Sequence, residues 1–217
     1  MIKAVIFDMD GVIIDSEPIN SKSWEKLLSE RDITPILSSS GLIHEVGPVG
    51  NETYKEIMKR HNIKDNVKTI RKRRRELFEE LLKEKLTPNS GFLKLIKLLK
   101  KEKIKTAVAS NRLIKHVHLI LENLGVKNFF KVIVGPNPTL KYKPAPDIFL
   151  QTAKELDVKP WQCVVIEDSE TGILSAKAAG MKVIAVPNKY TKHHNFSKSD
   201  KIVNSLSDIT VSMLNNL

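Results

Sequence analysis

Two aspartates, Asp8 and Asp10, follow directly on a short apolar run that ends at Phe7. A second acidic pair, Glu167-Asp168, follows another apolar run, Cys163 to Ile166. Between them in sequence lie Ser110-Asn111 and Lys143-Pro144. Carboxylates from two strand ends can hold Mg²⁺, a hard ion that takes oxygen ligands. One carboxylate can attack phosphorus and form an aspartyl-phosphate. A second acid two residues on can protonate the leaving oxygen and then activate water. A hydroxyl, an amide and a lysine can cradle the remaining phosphoryl oxygens. Each fragment also has an ordinary use. Asp-x-Asp suits a turn, Ser-Asn can cap a helix, Lys-Pro fits any loop, and Glu-Asp-Ser favours a helix N-terminus. The chemical reading rests on finding all four in order, each at the end of an apolar run.

The elements needed to position these groups are legible. Residues 2–7 read as a buried strand, and strands are predicted at 104–109, 131–134, 163–166 and 182–186. Helices alternate with them at 91–102, 113–124, 145–156, 170–179 and 208–216. That alternation predicts an α/β fold, a Rossmann-like parallel sheet covered by helices on both faces. In such a sheet, ligands bind beyond the carboxyl ends of the strands, where the four polar segments lie. A helical block interrupts the alternation after the first strand, with helices predicted from 17 to about 31, at 51–62 and at 66–85. We expect a core domain of residues 1–14 and 88–217, and an inserted α-helical cap domain of residues 15–87. The break at Thr87-Pro88-Asn89-Ser90-Gly91 marks the return.

With these motifs in order, the sequence resembles the haloacid dehalogenase superfamily, and within it the β-phosphoglucomutase-like branch with a small helical cap. The resemblance covers nearly the whole chain. It rests on Phe7-Asp8-Met9-Asp10-Gly11 with Asp15-Ser16-Glu17-Pro18, on Ser110-Asn111, on Lys143-Pro144-Ala145-Pro146-Asp147, and on Glu167-Asp168-Ser169 with Gly172. It implies that Asp8 is a nucleophile and Asp10 an acid/base. It implies Mg²⁺ held by Asp8, the backbone carbonyl of Asp10 and Asp168, with Glu167 as ligand or close support. Ser110 and Lys143 would bind the phosphoryl group, and Asn111 would support substrate placement. The segment Gly47-Pro48-Val49-Gly50 resembles a substrate-specificity loop. The sugar-phosphate mutases of the branch carry a histidine four residues before a tryptophan. Here the tryptophan is Trp24 and that position is Asn20. Gly50 stands where those mutases have an arginine. Gly47, Gly50, Asn20 and Arg74 are the cap positions expected to set specificity.

Composition bounds the rest. The chain has 217 residues, 41% of them hydrophobic, enough for one sizeable core or a core with an insert. No apolar run approaches the roughly 18–20 residues of a membrane span. A single cysteine, Cys163, forms no internal disulfide, which points to a cytoplasmic enzyme. The formal charge of +11 raises nucleic-acid binding as a rival. Its densest cluster, Arg71-Lys72-Arg73-Arg74-Arg75, reads first as a solvated helix face, with a phosphate-facing role for one or two arginines as the alternative. No nucleic-acid-binding motif accompanies it. The expected function is a Mg²⁺-dependent phosphatase of small phosphorylated metabolites, monomeric and without membrane or nucleic-acid partner. The alternatives are a β-phosphoglucomutase-type mutase, and a non-catalytic protein that binds nucleic acid or another anionic partner.

Overall fold

The computed structural model describes residues 1–38, 40–44 and 50–217. Along the chain the elements are β1 (Ala4–Phe7), α1 (Glu17–Ser29), α2 (Asn51–Arg60), α3 (Val67–Leu81), α4 (Phe92–Lys101), β2 (Lys105–Ala109), α5 (Ile114–Asn123), β3 (Val132–Val134), α6 (Asp147–Leu156), β4 (Cys163–Glu167), α7 (Glu170–Ala178), β5 (Lys182–Ala185), β6 (Lys201–Ile202) and α8 (Val211–Asn215). The chain divides into two compact units, Met1–Asp15 with Thr87–Leu217, and Ser16–Leu86.

The first unit is built on a parallel sheet with strand order β3-β2-β1-β4-β5-β6. β1 and β4 are buried along their whole length, as expected for strands covered on both faces. Alternate residues serve opposite faces. Ala4 and Ile6 join Ala107, Val165, Val183, Ile148, Phe149 and Ile173 in one core layer. On the other face, Phe7 meets Phe92 edge-on at 5.7 Å between ring centroids, and Phe130 at 6.0 Å. The chain leaves β1 for β2 on one side and later returns to β4 on the other. That reversal opens a crevice at the carboxyl ends of β1 and β4. Register fixes what lines it. Phe7 pairs with both Val108 and Ile166, so Asp8 and Glu167 emerge next at the same level.

The second unit packs α1, α2 and α3 around Trp24, Leu27, Leu28, Tyr54, Ile57, Ile70 and Leu77. Trp24 is fully buried within it. The predicted elements and the observed ones agree within a few residues at their ends, where helices fray. The exception is β6, where the sequence pattern predicts no strand. Its two residues are exposed and extend the sheet by pairing with Ile184 and Ala185.

Candidate active site

Lys143 is the hub of the crevice. Its ammonium donates to Asp8 Oδ1 at 2.5 Å, to Glu167 Oε1 at 2.7 Å and to the Ala109 carbonyl at 2.9 Å. Those three bonds use all three of its donors. Its side chain is only 4% exposed. Burial works against the ammonium, but Asp8 and Glu167 outweigh it and hold Lys143 above the usual lysine range. Asn111 fixes the backbone here, accepting from the Lys143 N–H at 3.2 Å. Lys141, in the same loop, is exposed.

Asp8, Glu167 and Asp168 each offer a carboxylate oxygen within 4.8 Å of the others. Burial, with Glu167 close by, pushes the Asp8 and Asp168 carboxyls above the usual aspartate range, Lys143 only partly opposing this at Asp8. Glu167 is heavily engaged. Its Oε2 accepts from the N–H of Asp168 (3.1 Å), the N–H of Ser169 (3.2 Å) and the Ser169 hydroxyl (2.9 Å). Asp168 Oδ2 accepts from Asn188 Nδ2 at 2.7 Å. Asp10 lies in the same crevice, held by the Arg112 guanidinium at 2.6 Å. Four carboxylates, those of Asp8, Asp10, Glu167 and Asp168, thus face two cations, Lys143 and Arg112. Fully ionised, the set would carry two negative charges in excess of its cations, and the free donors would be oxygens. That set fits a hard divalent cation, which would let the carboxylates ionise together.

Two glycines make the packing feasible. Gly11 has φ of +80°, and a Cβ there would strike the Asp168 carboxylate. A Cβ at Gly172 would collide with the Glu167 carboxylate, so the first turn of α7 approaches the acid closely only as glycine. Ser169 caps that helix, accepting from the Gly172 N–H at 3.1 Å. On the other side, Asn89 Nδ2 donates to the carbonyls of Gly11 and Val12 and secures the turn after Asp10.

Ser110 is buried at the end of β2, its hydroxyl accepting from the Arg112 N–H at 3.1 Å. The structure therefore brings Asp8, Asp10, Ser110, Asn111, Lys143, Glu167 and Asp168 to one sheet edge. Sequence reasoning missed Arg112 and Asn188 there. Arg112 directly follows the Ser110-Asn111 motif, which was its only signal. Asn188 lies beyond β5 and had none.

The cap candidates belong to the second unit. Arg74 is buried, donating to the Tyr54 hydroxyl and to Asn20 Oδ1, both at 3.0 Å. Its guanidinium lies 5.1 Å from the Trp24 ring centroid and 5.7 Å from that of Tyr54. A uniformly solvated face is thus the wrong description of the basic run. Arg73 is tied to Glu30 and Glu76, and Arg74 points inward. The inward turn was readable, since Arg74 falls on the apolar stripe of Ile70, Leu77, Phe78 and Leu81. Gly50 is exposed at the start of α2. Gly47 lies outside the described residues.

The haloacid dehalogenase-like hydrolase family model matches residues 5–186. The chain belongs to that family. A bifunctional riboflavin kinase/FMN phosphatase of Arabidopsis thaliana is 33% identical over 206 residues, 94% of this chain and 54% of that protein. The chain thus spans about half of that relative. A β-phosphoglucomutase of Bacillus subtilis is 32% identical over 228 residues, covering 98% of this chain and 93% of its own. CbbY of Rhodobacter sphaeroides, solved in complex with phosphate, superposes with a TM-score of 0.82 at 26% identity, over 99% of this chain and all of that one. The resemblance and the fold class expected from sequence are borne out, and so is the enzyme class, a haloacid dehalogenase-family phosphatase. No helix among the described residues is long and apolar enough to cross a membrane.

Proposed function

We propose that this family member hydrolyses small phosphate monoesters on Asp8. The observation that carries this reading is the Asp8 carboxylate, held by Lys143 at 2.5 Å beside Glu167 and Asp168. Lys143 and Ser110 receive the phosphoryl oxygens, and Asn111 orients the Lys143 loop. Asp8, Asp168 and the Asp10 carbonyl would hold Mg²⁺, which supplies charge neutralisation between a carboxylate and an anionic ester. Glu167 supports Lys143 and the turn into α7. An Asp8 oxygen bonds to phosphorus, the ester P–O bond breaks, and the departing oxygen takes a proton from Asp10. Asp10, now a carboxylate, takes a proton from water as the water oxygen attacks phosphorus. The bond to Asp8 breaks, Asp8 is restored and inorganic phosphate leaves.

Specificity falls to the inserted unit, with Asn20, Arg74, Gly47 and Gly50 as the candidate positions. We take the enzyme to be a cytoplasmic monomer with no nucleic-acid partner. Arg73 and Arg74 being engaged within the chain supports the absence of a nucleic-acid partner. Mutase chemistry is the second reading, favoured by similarity to the Bacillus subtilis β-phosphoglucomutase. Hydrolysis is preferred because Asn20 and Gly50 replace the histidine and arginine expected of such mutases. Phosphate release from a panel of small esters, with and without Mg²⁺, tests the proposal. Asp8→Asn should lower turnover by at least about 10³-fold with an unchanged circular-dichroism spectrum. Conversion of β-glucose 1-phosphate to glucose 6-phosphate without free phosphate would overturn hydrolysis in favour of the mutase.

A further inference from the structure

Asn188 lies in the loop beyond β5 and uses the two ends of its amide differently. Oδ1 accepts from the N–H of Tyr190 at 2.9 Å and from that of Thr191 at 3.2 Å. Those donors assign the oxygen end, so the NH₂ end is the one that reaches Asp168 Oδ2, at 2.7 Å. The turn is closed twice more. The Asn188 N–H donates to Thr191 Oγ1 at 3.1 Å, and the Asn188 carbonyl accepts from the Lys192 N–H at 3.0 Å. Thr191 is itself buried. A Cβ at Gly11 would strike both the Asp168 carboxylate and Asn188 Nδ2, so the backbone after β1 packs closely on this bond.

The three clustered acids differ in what holds them. Lys143 spends its donors on Asp8 Oδ1, Glu167 Oε1 and the Ala109 carbonyl. Glu167 Oε2 takes three further donors from Asp168 and Ser169. Among the described residues, the Asp168 carboxylate is held by hydrogen bonding through Asn188 alone. The carboxylate torsion of an aspartate is soft, so without such a partner its plane is poorly fixed. We propose that Asn188 is the positioning residue of Asp168. By taking Oδ2 it sets the plane of the carboxylate and leaves Oδ1 as the oxygen offered to a divalent cation. A hydrogen-bond partner behind a ligating group is worth roughly 10–100-fold in metal affinity. The inference rests on reading Asp168 as a metal ligand of the proposed phosphatase. Asn188 and Gly11 also line a cavity of about 340 Å³ within the same unit. Shortening Asn188 would therefore open Oδ2 to water, which returns part of the lost hydrogen bond. An apolar side chain of similar size would return none of it.

The test reads metal affinity on the substrate-free chain. Mg²⁺ competes with Mn²⁺, and the free Mn²⁺ is counted by electron paramagnetic resonance. Each variant is first checked for native circular dichroism. Asp168→Asn sets the scale and should weaken Mg²⁺ binding by about tenfold or more. Asn188→Ser keeps a hydroxyl that can close the turn but is too short to reach Asp168. It should raise the Kd for Mg²⁺ about tenfold, and Asn188→Leu should raise it nearer a hundredfold. Thr191→Val is the control for the turn. It removes the hydroxyl that accepts from the Asn188 N–H and leaves Nδ2 in place. It should lower the melting temperature while keeping the Kd within about threefold of wild type. Asn188→Ser combined with Asp168→Asn should bind Mg²⁺ no more weakly than Asp168→Asn alone, because the two residues act as one unit. A wild-type Kd in both Asn188 variants, beside a tenfold loss in Asp168→Asn, overturns the proposal and leaves the metal reading standing. A loss in Thr191→Val as large as in Asn188→Ser also overturns it, since the turn and not the amide would then be what matters. An unchanged Kd in Asp168→Asn overturns the metal reading and the proposal with it.

Discussion

The core unit and the inserted unit each bury a cation, and they compensate it in opposite ways. Lys143 lies between formal charges, bonded to Asp8 and Glu167. Arg74 lies among neutral groups, bonded to a phenol and an amide and flanked by the faces of Trp24 and Tyr54. A buried charge paired with charge is sensitive to the loss of either partner. A cation solvated by dipoles and aromatic faces holds its place without any carboxylate, and the guanidinium suits this because it is weakly hydrated and planar. The core cluster is thus an excess of formal negative charge around Lys143 and Arg112, with a donor set that fits a hard divalent cation. The Arg74 cluster contains no carboxylate and leaves the buried Arg74 Nε without a hydrogen-bond partner among the described residues.

The sharpest way to break this contrast is Lys143→Met. It leaves Asp8 and Glu167 facing each other without their shared cation. The metal-free protein should lose about 3–5 kcal/mol in urea unfolding, with turnover abolished. Excess Mg²⁺ should recover part of the stability and none of the activity. Arg74→Met is the counterpart. It should cost about 1–3 kcal/mol, because only hydrogen bonds and ring contacts are lost, and Mg²⁺ should recover none of it. Equal losses in both variants, equally indifferent to Mg²⁺, would erase the distinction.

Asp168→Asn probes the excess charge from the other side. Removing a buried carboxyl whose ionisation burial and Glu167 oppose, while keeping an acceptor for Asn188, should raise the metal-free melting temperature by about 2–4 °C. It should also remove most of the stabilisation that wild type gains from Mg²⁺ in a thermal-shift titration. The smallest expected effect lies at the sheet edge. Asp200 accepts from Lys177, Lys182 and the Val183 N–H. Burial opposes its charge, but these donors prevail and hold the carboxyl below its ordinary value of 3.8. A carboxyl depressed in the folded state stabilises above that ordinary value and loses the contribution as pH falls through the folded one. Asp200→Asn should therefore cost about 0.5–1 kcal/mol at pH 7, for a partly exposed pair. The difference from wild type should shrink in acid and vanish only once the pH lies below the folded-state value.

What the sequence revealed of this contrast was uneven, for physical reasons. Strands buried on both faces must be apolar throughout, so β1 and β4 and the acids at their ends stand out. The core motifs are legible because each is a polar break after such a run. β6 is two exposed residues recruited to the edge by backbone pairing, which leaves no side-chain pattern. The grip of Arg112 on Asp10 joins residues 102 positions apart, and no local signal encodes it. Arg74 was hidden in plain view, because five consecutive basic residues read as a surface until each is placed on its helix.

The shared level of Asp8 and Glu167 bears on how such a chain can diverge. Neighbouring strands hold the two acids abreast through a register in which Ala4 to Phe7 match Cys163 to Ile166 one for one. A codon gained or lost within either strand would turn one acid toward a packed helix layer and shift it by a residue's rise, about 3.3 Å. A helical stretch inserted at Ser16 leaves both strands untouched. Length variation is thus admissible where the inserted unit is joined and inadmissible a few residues earlier. Among descendants of this sequence the inserted unit can be recut for new substrates while the strand ends stay fixed in frame.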